Sequence, residues 1–247
     1  MKRAMTTIRT KPKGAPAPLS GSAARDVTSG AKAAQPNKPA PSNPAKRRDA
    51  AKNLRGISAK DGTTKAKIER AALHLFADHG VDGVSTKQIA AAAGISEGAI
   101  YRHFSGKEEL ARSMMRAIHD RLTELIRIAD GNQDGLEAKI QFIVTHYCRI
   151  ADEDWDLFQY HILHLHHFPK LTDGPDDSPI GAAAILLQRS MDAGEIDPVD
   201  PYILAAMALG VVTQAAQAKV FGFIEGPLAA RTDLFSKRVM AVLTAPA

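Results

Sequence analysis

Arg102 stands between Tyr101 and His103 in the stretch from Val84 to Leu110. A guanidinium has the fork geometry for two hydrogen bonds to a guanine edge, so these residues suit the reading of duplex DNA. That chemistry needs a short, rigid element that presents them outward. Ser85 and Gln88 have the spacing of a capping box, which predicts a helix start at Ser85. Ile89 and Ala90 supply an inner face, and Gly94 stands where a left-handed residue would end the helix. Ser96 is placed to cap a second helix, on which Ile100 and Phe104 lie four apart on one face. Ala99, Tyr101, Arg102 and His103 are left to point elsewhere. Two short helices joined by a tight turn, with a third starting after Gly106, make a helix-turn-helix that can enter a major groove.

The elements around this stretch follow from punctuation and spacing. A helix is predicted from about Thr64 to His79. A linker helix is expected near Ser105, where Ser105 and Glu108 form a second candidate capping box. It carries Leu110, Met114, Ile118, Leu122 and Leu125 at helical spacing to about Ala129. Gly131 to Gly135 then breaks the chain and sets an expected domain boundary, dividing it into 1–60, 61–130 and 131–247. Further helices are predicted over about 136–151, from Asp154-Trp155 to Phe168, and from Ser178-Pro179 to Gly194. The last two run from Asp200-Pro201 to about Phe221 and from Gly226-Pro227 to about Leu243. No alternating strand pattern occurs, so the fold class is all-α.

Charge divides unevenly. Residues 1–60 hold 14 Lys/Arg against 2 Asp/Glu, a net of +12, whereas residues 61–247 carry a net of −7 within a chain total of +5. The first segment has no Phe, Tyr or Trp and has seven prolines between Pro12 and Pro44, a composition expected to be disordered. Its Lys46-Arg47-Arg48 cluster, with Lys52 and Arg55, precedes the first helix. Such an arm can add phosphate contacts or reach a minor groove; a solubilising extension is the alternative. No secretory signal is visible in the first 30 residues. The most apolar run, Tyr202 to Val212, is shorter than the ~20 residues a bilayer span takes. A cytoplasmic protein without membrane contact is expected.

The run from Ile68, Ala71-Ala72 and Leu75-Phe76 through Gly80, Ser85-Thr86, Ile89-Ala90, Ala93-Gly94-Ile95-Ser96, Tyr101-Arg102-His103-Phe104, Lys107-Glu108 and Leu110 resembles the TetR family of bacterial transcriptional regulators. The resemblance covers about Thr64 to Leu110. It implies a three-helix DNA-binding domain followed by a six-helix domain for effector and dimer. It also implies that Thr86, Lys87, Tyr101 and Lys107 contact phosphates. Glu97, Gly98, Ala99, Arg102 and His103 would then meet base edges, with Ser96 among the DNA-binding residues. On chemistry, Ala99 suits a thymine methyl and Glu97 either a cytosine amino group or the helix dipole. Core packing for Tyr101 and a solvated charge for Arg102 stay open as alternatives.

The histidines of the Tyr160–Phe168 segment have spacings of three and four that suit a two-ligand metal site. No carboxylate or cysteine within the segment completes one, so polar lining of a pocket or an ordinary surface role stands beside it. Phe142, Tyr147, Trp155, Phe158, His161, His164 and Met191 are the candidate lining of an effector cavity, with Tyr160 among the same aromatics. Cys148, the one cysteine, excludes an internal disulfide and a cysteine zinc site. No phosphate loop, nucleophile elbow or metal set points to an enzyme, and no cofactor is implied. Helix 201–221 is apolar or small on nearly all sides, and the last helix is amphipathic. Pairing both with their copies in a four-helix dimer bundle would bury them; a buried central helix in a monomer is the alternative. The reading is therefore a homodimeric regulator that binds an operator in double-stranded DNA and is released by a small molecule. A DNA-bound scaffold of the same fold, governed by a protein partner, is the alternative.

Overall fold

The computed structural model describes residues 62–246 except 169–170 and 172–173, and the basic segment 1–60 lies outside the described residues. The described residues form nine α-helices and three short 3₁₀ turns, with no strand among them. The first three helices are α1 (Thr64–His79), α2 (Thr86–Ala93) and α3 (Glu97–Tyr101). Thr63 caps α1 by accepting from the Ala66 N–H at 3.2 Å, and Ile68, Ala72 and Phe76 bury its inner face. At α2 both bonds of the capping box form. The Ser85 N–H donates to Gln88 Oε1 at 2.8 Å, and the Gln88 N–H donates to Ser85 Oγ at 3.2 Å. Gly94 ends α2 in the left-handed region, φ 66° and ψ 36°, as its place in the turn demands. Ser96 occupies the cap position of α3, but its side chain makes no capping bond.

The long helix α4 spans Lys107–Asn132. The expected box at Ser105 and Glu108 does not form: Gly106 is the capping residue, and the Ser105 N–H donates to the Glu109 carboxylate instead. The helix also runs past Ala129 and carries Gly131 inside it. Burial of Ile126, Ile128 and Ala129 outweighs the ~1 kcal/mol that a mid-helix glycine costs. Asp130 adds an ion pair to Lys139 at 2.9 Å, across the turn that ends at Gly135.

The remaining helices are α5 (Leu136–Glu153), α6 (Trp155–His164), α7 (Pro179–Asp192), α8 (Pro201–Val220) and α9 (Thr232–Leu243). Ser178 and Asp200 cap α7 and α8 as expected, each followed by proline in the first turn. Two boundaries differ from expectation. The segment after Asp154 tightens into a 3₁₀ turn over Leu165–His167 rather than staying α-helical to Phe168. The segment after Gly226-Pro227 makes a 3₁₀ turn over Leu228–Arg231 before α9 begins. There the Asp152 carboxylate accepts from the Leu228 and Ala229 N–H groups at 3.0 and 2.8 Å, a long-range anchor invisible in local spacing.

Helix α7 packs along α4 and α8, α9 along α5 and α8, and α1 on α2 and α6. One connected core joins Ile68 to Leu243. Helix α8 is less enclosed than its composition suggests. Leu204, Ala205, Ala208, Val212 and Ala216 are buried, but Ile203 is 63% and Met207 55% exposed. A central helix buried within a single chain is therefore not what forms. By length and composition its 20 residues are enough to cross a membrane, contrary to the shorter run expected from sequence, and 28% of its most apolar window is buried inside the chain.

Candidate functional site

The outward flank of α3 starts from its two ends. Ile100 and Phe104 are buried and fix the helix on its neighbours, which turns Tyr101, Arg102 and His103 outward; Tyr101 is 54% exposed. A hydroxyl chain locks α3 to the start of α2. Thr86 Oγ1 donates to Glu97 Oε1 at 2.6 Å and lies 3.3 Å from the Tyr101 hydroxyl. Lys87 and Ser96 are exposed beside them. A Cβ added at Gly98 would meet nothing within 4 Å, so α3 offers bare backbone at that point.

Three expectations change here. Ala99 is 5% exposed; it packs inward beside Ile100 and is not available to a thymine methyl. The Glu97 carboxylate is taken by Thr86, so its place is that of an α2–α3 tie rather than an acceptor poised for cytosine. Lys107 folds back: its Nζ donates to the Asp82 carbonyl at 3.1 Å and its side chain is 22% exposed, so it staples the α1–α2 loop to the start of α4.

Behind this head, α6 forms the joint. Arg70 on α1 makes a two-pronged ion pair with Asp154, both N–O distances being 3.0 Å, and Asp154 also caps α6. His74 Nδ1 lies 3.2 Å from Asp156. The buried Tyr160 hydroxyl donates to the Ala111 carbonyl at 2.9 Å, and His164 Nε2 lies 3.3 Å from the Phe76 carbonyl. One side of α6 thus holds the head.

Its other side faces a cavity of about 360 Å³ walled by α4, α5, α7 and α8, together with Leu165. Most of the wall is aliphatic, including Leu122, Ile126, Val144, Leu209 and Val212. His119, Tyr147 and His161 also line it. Each holds a buried polar atom without a hydrogen-bond partner, namely His119 Nε2, the Tyr147 hydroxyl and His161 Nδ1. The two imidazole rings meet edge to face at 5.4 Å. Burial, then the neighbouring His119, pushes His161 down to about 3. Burial lowers His119 as well and raises the Tyr147 phenol, so all three are neutral near pH 7.

Of the seven expected lining residues, Tyr147 and His161 reach the cavity. Phe142 stacks on His146 at 3.9 Å, and Trp155 on Phe158 at 5.9 Å beneath the Lys219 ammonium. Phe158 packs edge-on against Tyr147 at 5.1 Å, filling space behind the wall. His164 turns to the head, and Met191 packs against the core. Aromatic side chains at helical spacing here pack on one another before they line a void. His119 was missed, although it falls in register between Met115 and Leu122 on the apolar stripe of α4. A histidine in that register was the signal.

The sequence pattern of the tetR family of bacterial regulatory proteins matches residues 68–114. The nucleoid occlusion factor SlmA of Vibrio vulnificus is 28% identical over 161 residues, which is 62% of this chain and 82% of that protein. Among solved structures, the fatty acid degradation regulator FadR from Bacillus halodurans superposes with a TM-score of 0.65 at 21% identity, over 73% of this chain and 96% of that one. The transcriptional regulator FadR from Bacillus subtilis in complex with stearoyl-CoA gives 0.61 at 17%, over 73% and 98%. At these identities the two structures speak to the fold. Residues 68–114 thus form a DNA-binding head of the TetR family of bacterial regulatory proteins, and the all-helical body shares the fold of the two FadR regulators.

Proposed function

We propose that the chain is a homodimeric repressor of the cytoplasm that binds an operator through α2 and α3 and leaves it when a small molecule enters the cavity. The observation that carries this reading is the double role of α6. His161 lines the cavity from the same helix whose Asp154, Tyr160 and His164 hold α1 and α4. A ligand that shifts α6 would alter the head, and by reciprocity operator binding would weaken the ligand. Residues 61–130 serve as the DNA-binding part and 131–247 as the effector and dimer part.

Dimerisation supplies what one chain lacks. Tyr202, Ile203 and Met207 on α8 and Leu234 on α9 are exposed, and pairing α8 and α9 with their copies covers them. In the head, Arg102 reads a base edge, Lys87, Tyr101 and the Thr86 backbone N–H meet phosphates, and Gly98 lets backbone approach the groove.

The SlmA resemblance favours a second reading, a DNA-bound scaffold that answers to a protein. The cavity argues for the ligand-governed form. Selection of binding sites from random duplex DNA tests the head. We expect a two-fold symmetric site, with Arg102→Ala weakening the selected site about 10- to 100-fold more than a scrambled one. Lys87→Ala should weaken both alike and lower the salt slope by about one. Equal losses in Arg102→Ala would remove it from base readout.

A further inference from the structure

The cavity's chemistry is more specific than its size. We infer that it takes an uncharged, mainly apolar molecule carrying one hydroxyl group, held by His119, Tyr147 and His161; this rests on the ligand-governed reading above. Three observations lead there.

First, no Lys, Arg, Asp or Glu lines the cavity. A carboxylate or phosphate would enter without a cationic partner, which a low-dielectric site penalises heavily. The two histidines do not supply that partner. Burial holds both rings neutral, His119 further disfavours a proton on His161, and His161 is 3% exposed. The phenol likewise stays protonated.

Second, the polar groups that do line the wall divide into used and unused. The Ser178 hydroxyl caps α7 by accepting from the Gly181 N–H at 3.1 Å, and Thr213 donates to the Leu209 carbonyl at 3.0 Å. His119 Nε2, His161 Nδ1 and the Tyr147 hydroxyl are buried and unpartnered. A neutral imidazole nitrogen is a donor or an acceptor according to tautomer, and a phenol can be either. A hydroxyl both donates and accepts, so it can satisfy the phenol and an imidazole in either tautomer. An ether or a halide can only accept.

Third, about 360 Å³ lies at the lower end of the range for ligand sites, roughly 300–1,000 Å³. That volume holds a compact apolar body, and no Lys or Arg lines it to hold a nucleotide's phosphates, so the chain is not expected to form the stearoyl-CoA complex of its B. subtilis structural neighbour.

The test uses the full chain without DNA, so that its failure is separate from that of the repressor reading. Calorimetric titration compares 1-decanol and cyclododecanol with decane, decanoate, decylamine and decanoyl-CoA. One of the two alcohols should bind one per chain, at least about tenfold tighter than decane and every charged analogue, because a site built for a hydroxyl discriminates strongly against its loss. Tyr147→Phe removes an unpartnered hydroxyl and should keep the melting temperature while cutting the alcohol's advantage about tenfold, with decane unaffected. Tighter binding of decanoate or the CoA thioester, failure of both alcohols, or tight binding of Zn²⁺ alone that His161→Phe abolishes would each overturn the assignment. If an alcohol binds but leaves a selected operator occupied, the cavity assignment stands and the repressor reading falls.

Discussion

The outward flank of α3 and the cavity under α6 are built on opposite plans. On the flank, Thr86, Glu97 and Tyr101 are tied to one another over 2.6–3.3 Å, and what is left exposed is a rigid surface. In the cavity, His119, Tyr147 and His161 are buried and lack partners. The first arrangement holds its shape with nothing bound. The second carries unmet hydrogen-bonding demand, which a ligand can meet and a hydrocarbon cannot. One helix joins a rigid flank to an unsatisfied pocket, and on the function proposed above that joint couples them, because only the pocket gains by changing state.

The largest expected effect separates fold from readout in the head. Gly98→Leu introduces a side chain where a Cβ meets nothing within 4 Å, so melting temperature should hold while operator binding is lost. Retained operator affinity would mean that α3 does not enter the groove on this face. The cavity should answer to acid instead. His161 is held at about 3 against an ordinary 6.5, so the unfolded chain takes up its proton first as pH falls. Stability contributed by the neutral ring is complete above 6.5 and is lost between 6.5 and about 3. Each pH unit in that window costs about 1.4 kcal/mol at most for this group. Urea unfolding from pH 7 to 5 should therefore show a slope about one proton smaller in His161→Phe than in the parent. An identical slope would mean that water reaches the ring.

The two plans also differ in how legible they are. Ser85 with Gln88, Gly94 in the turn and the Ile100–Phe104 pair are local signals, decided within a turn or two of chain, and all hold in the fold. The cavity is assembled from five segments far apart in sequence, so aromatic content around Trp155 was a poor guide. Those rings stack together, while a histidine of α4 and Gly210 of α8 reach the wall. The same holds at helix ends. Asp152 reaches 76 residues to reshape the start of the last helical segment, and Asp82 draws Lys107 away from solvent. Local spacing encodes caps; it does not encode a carboxylate or carbonyl arriving from elsewhere.

The joint between the regions offers a smaller effect. Asp154→Ala removes both prongs of the Arg70 pair and the α6 cap, and Arg70 is 37% exposed, so water compensates part of the loss. We expect about 1–2 kcal/mol of destabilisation by urea. Operator affinity should also become less sensitive to ligand, because α6 no longer grips α1. Unchanged sensitivity would route the coupling through Tyr160 and His164 instead.

The smallest effect tests whether the cavity wall trades stability for room. Gly210 lies inside α8, where glycine costs up to ~1 kcal/mol relative to alanine, and an added Cβ would meet nothing within 4 Å. Gly210→Ala should thus raise stability by about 0.5–1 kcal/mol. The same methyl group would project from a residue that lines the cavity, and should lower affinity for the largest alcohol that fits while sparing a shorter one. A gain in stability with no change in either affinity would place the Gly210 Cβ direction on the exposed side of α8, where a second subunit rather than a ligand would feel it.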